Sequence, residues 1–212
     1  MKSGRTNRNF LVGITGSIGS GKSRVAEYVR QVSGARLLSA DHICRELLAP
    51  GALGRQGLQQ ALGGRFLTPD GQLARAELRR AIFGDPELRA TVNAILHPLA
   101  RQEMQAAAQR LVAEGCRRIL AEVPLLYEAG WEADFARVLL VTAPDTVCVQ
   151  RLRARDKISR AEAEAALAAQ MPQAEKIARA DLVLDNSGEW PATRLRLDRL
   201  LPKLWPEDSE KS

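Results

Sequence analysis

Hydrophobic residues recur along this chain in two patterns, which are short unbroken apolar runs and longer stretches with helical spacing. The apolar runs predict five strands, at 10–15, 35–41, 116–124, 136–144 and 180–188. The third and fourth are apolar through their middles, which is typical of strands buried on both faces of a parallel sheet. Helical spacing follows the first run, at Val25, Tyr28, Val29 and Val32. Strands that alternate with helices indicate an α/β protein with an open, doubly wound, five-stranded parallel sheet.

Two segments carry helical patterns alone. Residues 42–115 are predicted to form a helical insertion and residues 150–178 a helical pair, in which Ser159 and Glu162 have capping-box spacing. Asp85–Pro86 predicts the start of a helix, and His97–Pro98 predicts a kink or division in the next one. We therefore expect one domain over 10–206, with its core at 10–41, 116–149 and 179–206, and flexible tails at 1–9 and 207–212.

Composition narrows the class of protein. The chain has 212 residues, is 45% hydrophobic and 26% charged, and has a net charge of +6, which fits an anionic partner. Aromatic residues make up only 4%, which argues against a stacking platform for single-stranded nucleic acid. Cys44, Cys116 and Cys148 lie far apart with no C-x-x-C pair, so we expect reduced thiols in the cytoplasm. No apolar run is long enough for a signal core or a membrane span.

The stretch "GSIGSGKS", residues 16–23, fits the Walker A pattern G-x-x-x-x-G-K-[ST]. It follows a predicted strand and opens a predicted helix, which is the context of a phosphate-binding loop. Glycine lets several main-chain N–H groups turn toward one anion, and the helix start adds its positive dipole end. Lys22 supplies a charge for the β- and γ-phosphates, and the Ser23 hydroxyl is a candidate Mg²⁺ ligand. The predicted nucleotide contacts are Gly16, Ser17, Ile18, Gly19, Ser20, Gly21, Lys22 and Ser23.

A phosphate loop identifies a nucleotide but not a reaction. A GTPase would be expected to carry an N-K-x-D segment, which the chain does not have. ATPases that do mechanical work are usually larger or oligomeric. A kinase needs an acceptor pocket, a base near the γ-phosphate and positive charge around the transferred group.

Candidates for the base and the metal ligand lie toward the carboxyl ends of two predicted strands. Asp41 is placed to accept the proton of an acceptor hydroxyl or to help hold Mg²⁺, and the alternative is that it caps the next helix and pairs with Arg45. Arg45 is a candidate for binding acceptor phosphate, or is a surface residue in that pair. Glu122 ends the third strand, where P-loop enzymes place an acidic residue near Mg²⁺, and the alternative is a strand-end carboxylate with no ligand.

The helix after the fourth strand carries three arginines. Arg151 and Arg155 are four residues apart and share a face, so they are candidates for clamping the transferred phosphate, whereas Arg153 points elsewhere. The alternative is a solvated basic face. His97 before Pro98 is interpreted as a structural residue near a helix end, with acceptor contact as the alternative.

Together these residues identify a resemblance. The segments "GITGSIGSGKS", "SADHICREL", "TPDGQLARAELRRAIF", "LHPL", "EVPLLYEAG", "RLRARD", "AAQM" and "LVLDNSG" resemble, in order and spacing, the dephospho-coenzyme A kinase family over roughly residues 10–205. The loop is common to P-loop proteins, whereas the aspartate followed by arginine four residues on, the "DGQLAR…LRRAIF…LHPL" block and "PLLYE" are more specific together.

The resemblance implies ATP-dependent, Mg²⁺-assisted phosphorylation of the ribose 3′-hydroxyl of dephospho-CoA, the last step of coenzyme A synthesis. It implies a nucleotide core, a helical CoA-side domain and a lid. By position, Asp41 corresponds to the general base, and Arg151 and Arg155 to lid arginines. The implied acceptor-side residues are Arg45, Arg75, His97 and Leu125, and Asn186 of "DNSG" would border the adenine. A monomer acting on ATP and dephospho-CoA, without nucleic acid or membrane, is the expected form.

One position departs from the resemblance. Many members of the family have an aspartate two places before the base, where this chain has Ser39. We expect Ser23 and Glu122 to hold the metal without it. Two alternatives stay open: another small-metabolite or nucleoside monophosphate kinase on the same scaffold, and a nucleotide-dependent regulatory or RNA-binding protein.

Overall fold

The computed structural model describes residues 10–205, so the predicted flexible tails at 1–9 and 207–212 lie outside the described residues. Within this range the chain divides into two compact units. The first comprises 10–39 and 107–205, and the second comprises 40–106. The predicted helical insertion, 42–115, overlaps the second unit but starts two residues later and ends nine residues later.

A five-stranded parallel sheet forms the centre of the first unit. Its strands are β1 (Leu11–Thr15), β2 (Arg36–Ser39), β3 (Ile119–Glu122), β4 (Arg137–Thr142) and β5 (Leu182–Asp185). Their order in the sheet is β2-β3-β1-β4-β5, and every pairing is parallel. The predicted fold class is therefore confirmed, although each strand is shorter than its apolar run.

Helices pack on this sheet through apolar faces. The helices of the first unit are α1 (Lys22–Ser33), α6 (Asp145–Asp156), α7 (Arg160–Ala168), α8 (Gln173–Arg179) and α9 (Trp190–Leu204). One buried cluster joins Val12 and Ile14 of β1 to Val25 and Val29 of α1 and to Leu197 of α9. Because successive side chains in a strand point to opposite faces, the residue between Val12 and Ile14 faces the other layer. That residue is Gly13, where a Cβ would lie 2.9 Å from Leu126 and 3.0 Å from Phe135.

The second unit is helical and has a core of its own. It contains α2 (Ala40–Leu47), α3 (Leu53–Leu62), α4 (Arg75–Gly84) and most of α5, which spans Pro86–Ala113. Leu58, Phe66, Leu78, Leu88, Val92 and Leu96 form its buried cluster. Two glycines of α3 allow close approach to α5, since a Cβ at Gly54 would lie 2.9 Å from Leu96 and one at Gly57 would lie 2.9 Å from Ile95.

Helix starts follow the predictions, but the predicted division at His97–Pro98 is wrong. Asp85 Oδ1 accepts hydrogen bonds from the N–H groups of Glu87 (3.1 Å) and Leu88 (3.0 Å), which caps α5. Ser159 and Glu162 form the predicted capping box of α7. However, α5 continues through Pro98 without division. In residues 10–205 no helix is both long and apolar enough to cross a bilayer.

Candidate active site

The predicted phosphate loop lies between the carboxyl end of β1 and the first turn of α1. Gly21 has a φ of 88° and is the N-cap of α1, a left-handed conformation that glycine adopts without strain. A side chain there would also collide with the amide nitrogen of Asn186, and one at Gly19 would collide with the carbonyl of Cys148. The first N–H groups of a helix have no partner within it and are available to an anion. The loop is therefore held in a shape that only glycine permits at these two positions.

Side chains from distant parts of the first unit support the loop. The N–H of Ile18 donates to Gln170 Oε1 (2.9 Å), and Asn186 Nδ2 donates to the carbonyl oxygen of Ser20 (2.7 Å). Asn186 is 5% exposed, and its Oδ1 accepts a hydrogen bond from Thr193 Oγ1 (2.9 Å). Sequence reasoning missed Gln170 and Thr193, because a hydrogen bond between distant residues leaves no periodic signal in a sequence.

Ser23 and Glu122 are brought together at the edge of the sheet. Ser23 Oγ donates to Glu122 Oε1 at 2.5 Å, across 99 residues of chain. Glu122 is the last residue of β3 and lies in register with Ile14 of β1 and Ser39 of β2. In residues 10–205 no three His, Cys, Asp or Glu side chains cluster as a metal site. Hydroxyl and carboxylate oxygens suit Mg²⁺, which commonly takes one or two protein ligands and completes its shell with water and phosphate.

The two arginines predicted to act together have different surroundings. Arg151 is half-buried, and its Nη1 donates to the carbonyl oxygen of Ser20 at 3.5 Å. Arg155 is exposed and makes two hydrogen bonds to the carboxylate of Asp156, at 2.8 and 2.9 Å. Burial raises the pKa of the Cys148 thiol, whereas the charges of Arg151 and Lys22 lower it. Arg151 therefore contacts the loop, whereas Arg155 is paired with its neighbour Asp156.

A cavity of about 550 Å³ lies beside the loop in the first unit. Ser17, Arg153 and Gln170 are among the residues that line it, with α6 and α7 as walls. Arg153 thus faces this cavity, whereas Arg151 contacts the loop at the carbonyl of Ser20.

Asp41 and Arg45 lie on one helix of the second unit. Helix α2 begins at Ala40, so Asp41 is in its first turn and is exposed, rather than at the N-cap that the alternative interpretation required. Arg45 Nε donates to the main-chain carbonyl of Asp41 at 3.2 Å. Burial, and secondarily the charge of Asp41, raise the pKa of Cys44 to about 11. The carboxylate of Asp41 stands at the positive end of the helix, where negative charge is stabilised.

Arg75 and His97 have structural surroundings in this unit. Arg75 Nη2 donates to the carbonyl oxygens of Arg45 and Leu48, both at 3.2 Å, which satisfies acceptors at the end of α2. His97 lies half-buried within α5, and burial lowers its pKa. Leu125, predicted as an acceptor-side residue, lies half-buried in the first unit, three residues after Glu122.

Comparison with known proteins gives consistent matches. The model of the dephospho-CoA kinase family matches residues 10–192. The dephospho-CoA kinase of Moorella thermoacetica is 42% identical over 186 residues, which are 87% of each chain. The crystal structure of TT1252 from Thermus thermophilus has a TM-score of 0.72 at 34% identity, covering 92% of this chain and 97% of that one. The dephospho-CoA kinase of Campylobacter jejuni has a TM-score of 0.66 at 24% identity, over 93% and 98%, and shares the fold.

Proposed function

This chain belongs to the dephospho-CoA kinase family and is a kinase of coenzyme A biosynthesis; we propose that it transfers the γ-phosphate of ATP to the ribose 3′-hydroxyl of dephospho-CoA. The hydrogen bond from Ser23 to Glu122 carries this proposal within the structure. It places a hydroxyl and a carboxylate at the start of α1, directly after the glycine loop. That is the chemistry a triphosphate and its metal require.

The loop supplies the grip on the nucleotide. Gly21 opens α1 in a left-handed conformation, and the N–H groups of the first helical turn lie next in the chain. Lys22 adds a positive charge that neutralises the β- and γ-phosphates as negative charge shifts during transfer. Arg151 adds a second positive charge on the side of Ser20. Arg155 adds a third positive charge near the phosphates when its hydrogen bonds to Asp156 break. Asn186 is a nucleotide-side residue in this proposal, because its side chain donates to the Ser20 carbonyl of the loop.

Ser23 and Glu122 fit Mg²⁺. Both present oxygen atoms, and the hydrogen bond between them supports the proposal that one small ion with its waters would take both as ligands. These two residues would hold Mg²⁺, which would supply positive charge that stabilises the phosphates during transfer. Glu122 also accepts a hydrogen bond from the Ser23 hydroxyl, which orients the lone pairs of that hydroxyl.

The second unit supplies most of the acceptor-side residues, and the first unit supplies Leu125. Asp41, exposed in the first turn of α2, accepts the proton of the acceptor hydroxyl as the new bond to phosphorus forms. Arg45, held against the same turn through the carbonyl of Asp41, binds phosphate groups of the acceptor. Arg75 fixes the end of α2 and thereby positions Arg45. His97 and Leu125 complete the proposed acceptor contacts.

We place the enzyme in the cytoplasm as a monomer that binds no nucleic acid. The scarcity of aromatic residues and the scatter of basic residues along the chain support the last point.

Product analysis tests the proposal directly. The full chain is incubated with ATP, Mg²⁺ and dephospho-CoA, and the products are separated by mass. We expect one ADP per coenzyme A formed, and faster ATP consumption with dephospho-CoA than with adenosine, AMP or shikimate. A different preferred acceptor would move the protein to another small-metabolite kinase. Binding of RNA that weakens steeply with salt, without phosphate transfer, would favour the regulatory alternative.

A further inference from the structure

We infer that Asn186 and Thr193 are positioning residues that orient the Gly21 N–H toward the phosphates by holding the Ser20 carbonyl on the opposite side. The inference rests on the proposed function, because it assigns a nucleotide to the loop. It gives Asn186 a role other than the predicted contact with adenine. It also assigns a role to Thr193, which no sequence pattern singles out.

Three contacts fix the amide of Asn186. Its main-chain N–H donates to the carbonyl of Thr142 at the end of β4 (2.8 Å), so its backbone continues the sheet. Its Oδ1 accepts from Thr193 Oγ1 (2.9 Å), which leaves Nδ2 to donate to the Ser20 carbonyl (2.7 Å). Thr193 is fully buried and Asn186 is 5% exposed. The Ser20 carbonyl can only accept, so the amide of Asn186 faces it with Nδ2, and the Thr193 hydroxyl holds the other end of the amide by donating to Oδ1.

The planar peptide between Ser20 and Gly21 transmits the orientation of the Ser20 carbonyl to the N–H of Gly21. In a trans peptide the carbonyl and the following N–H point in opposite directions. When the Ser20 carbonyl points toward Asn186, the N–H of Gly21 points away from it, into the side of the loop where a phosphate binds. Arg151 Nη1 approaches the same carbonyl at 3.5 Å, a longer contact than that of Asn186. The close fit of Gly21 against Asn186 Nδ2 leaves little room for the peptide to turn over.

The test compares two nearly isosteric variants with a conservative one. Thr193→Val keeps the volume of the side chain but removes the hydroxyl donor, and Asn186→Asp replaces the Nδ2 donor with an oxygen that repels the Ser20 carbonyl. Thr193→Ser keeps the hydroxyl. Thr91→Val is the matched control, because the Thr91 hydroxyl bonds only a carbonyl of its own helix, that of Glu87 at 3.0 Å, in the second unit.

The first readout is the Kd for ADP, measured by calorimetry without dephospho-CoA. We expect Thr193→Val to weaken ADP binding about 3- to 10-fold and Asn186→Asp about 10-fold or more, as expected for one lost and one reversed hydrogen-bond interaction. Thr193→Ser and Thr91→Val should bind as the wild type does. The KM for ATP should rise in the two weakened variants, while the KM for dephospho-CoA stays within about twofold, since no acceptor contact changes.

Two results would overturn the inference. One is wild-type ADP affinity in Thr193→Val, even with a lower melting temperature, because that is the signature of a purely structural contact. The other is an equal rise in both KM values. If Asn186→Asp does not fold, Thr193→Val decides alone. ADP binding that follows these expectations in a protein that makes no coenzyme A would refute the proposed function and leave this inference intact.

Discussion

Ser39 and Glu122 are register partners at the carboxyl ends of neighbouring parallel strands, β2 and β3. Side chains at paired positions of a sheet lie on the same face and within contact range. Glu122 also accepts the hydroxyl of Ser23. Position 39, where the resemblance implies an aspartate, thus adjoins the predicted metal ligands.

Ser39→Asp should lower the Mg²⁺ concentration needed for half-maximal activity by roughly 30-fold, because one more negative charge attracts a divalent ion by about 2 kcal/mol at about 4 Å in water. Titration of Mg²⁺ at fixed ATP measures it. Ser39→Asn, with the same shape and no charge, is the control. An identical metal requirement in both variants would remove Ser39 from the metal site.

Asp41→Asn should lower kcat by at least ~100-fold, since a positioned general base contributes about 10²- to 10⁴-fold. Binding of ATP, followed by calorimetry, should change little, because Asp41 is assigned to the acceptor. Glu46→Gln alters an exposed acid on the same helix and should retain activity. Near wild-type turnover in Asp41→Asn would exclude Asp41 as the base.

Lys22→Ala should lower kcat/KM for ATP by about 10²- to 10³-fold, the usual cost of losing one charge that stabilises the transferred phosphate. Steady-state kinetics with ATP varied measures this effect. Lys203→Ala, an exposed lysine of α9, is the matched control. Unchanged kinetics in Lys22→Ala would contradict the assignment of the phosphate loop.

Asp85→Ala should lower the free energy of unfolding by about 1 kcal/mol, because it removes the acceptor that caps α5. Asp85→Asn keeps a side-chain oxygen in the same place and should remain within a few tenths of the wild type. Urea unfolding followed by circular dichroism compares the three proteins. Equal stability of the alanine and wild-type proteins would show that the cap contributes nothing.

Stability should fall with acid because of His97. Burial lowers the pKa of His97 below its ordinary value of 6.5, so the unfolded chain binds more protons than the folded one as the pH drops. The contribution of His97 is complete above pH 6.5 and is lost progressively down to the folded pKa. The wild type should therefore lose more unfolding free energy than His97→Gln between about pH 8 and pH 5. Parallel losses in the two proteins would contradict this assignment.

The sheet could be predicted because burial on both faces leaves a direct mark on the sequence. The strands β3 and β4 are apolar through their middles, and the structure buries nearly every residue in them. The predicted positions of the strand ends were less accurate, because apolar residues such as Ala143 stay buried beyond the last sheet pairing. The glycine loop was predictable for a related reason, because few residues other than glycine tolerate its backbone at Gly21.

The division of α5 at Pro98 was predicted and is wrong, and packing explains why. Leu88, Val92, Leu96 and Ala100 are buried at intervals of four along one face, on both sides of the proline. Pro98 itself is exposed, as is Ala94, whose carbonyl loses its helical donor there and can be satisfied by water. Continuous burial on one face therefore outweighs one lost hydrogen bond on the other.

Contacts across long sequence separations could not be read from the sequence. Asn186 was predicted to border adenine from its place in a short motif, whereas its buried partners are Ser20 and Thr193. Gln170 carries no pattern that points to Ile18. Such pairs depend on how the strands are ordered, which local propensity does not encode.

The supports of the phosphate loop have a consequence for how the protein is made. Gln170 follows Ile18 by 152 residues and Asn186 follows Ser20 by 166, and both sheet neighbours of β1 come from the later part of the chain. A ribosome has therefore synthesised most of the polypeptide before the loop has any of these supports. A chain that ends before Asn186 lacks this contact to Ser20, so we expect nucleotide affinity to reach its full value only near the end of synthesis.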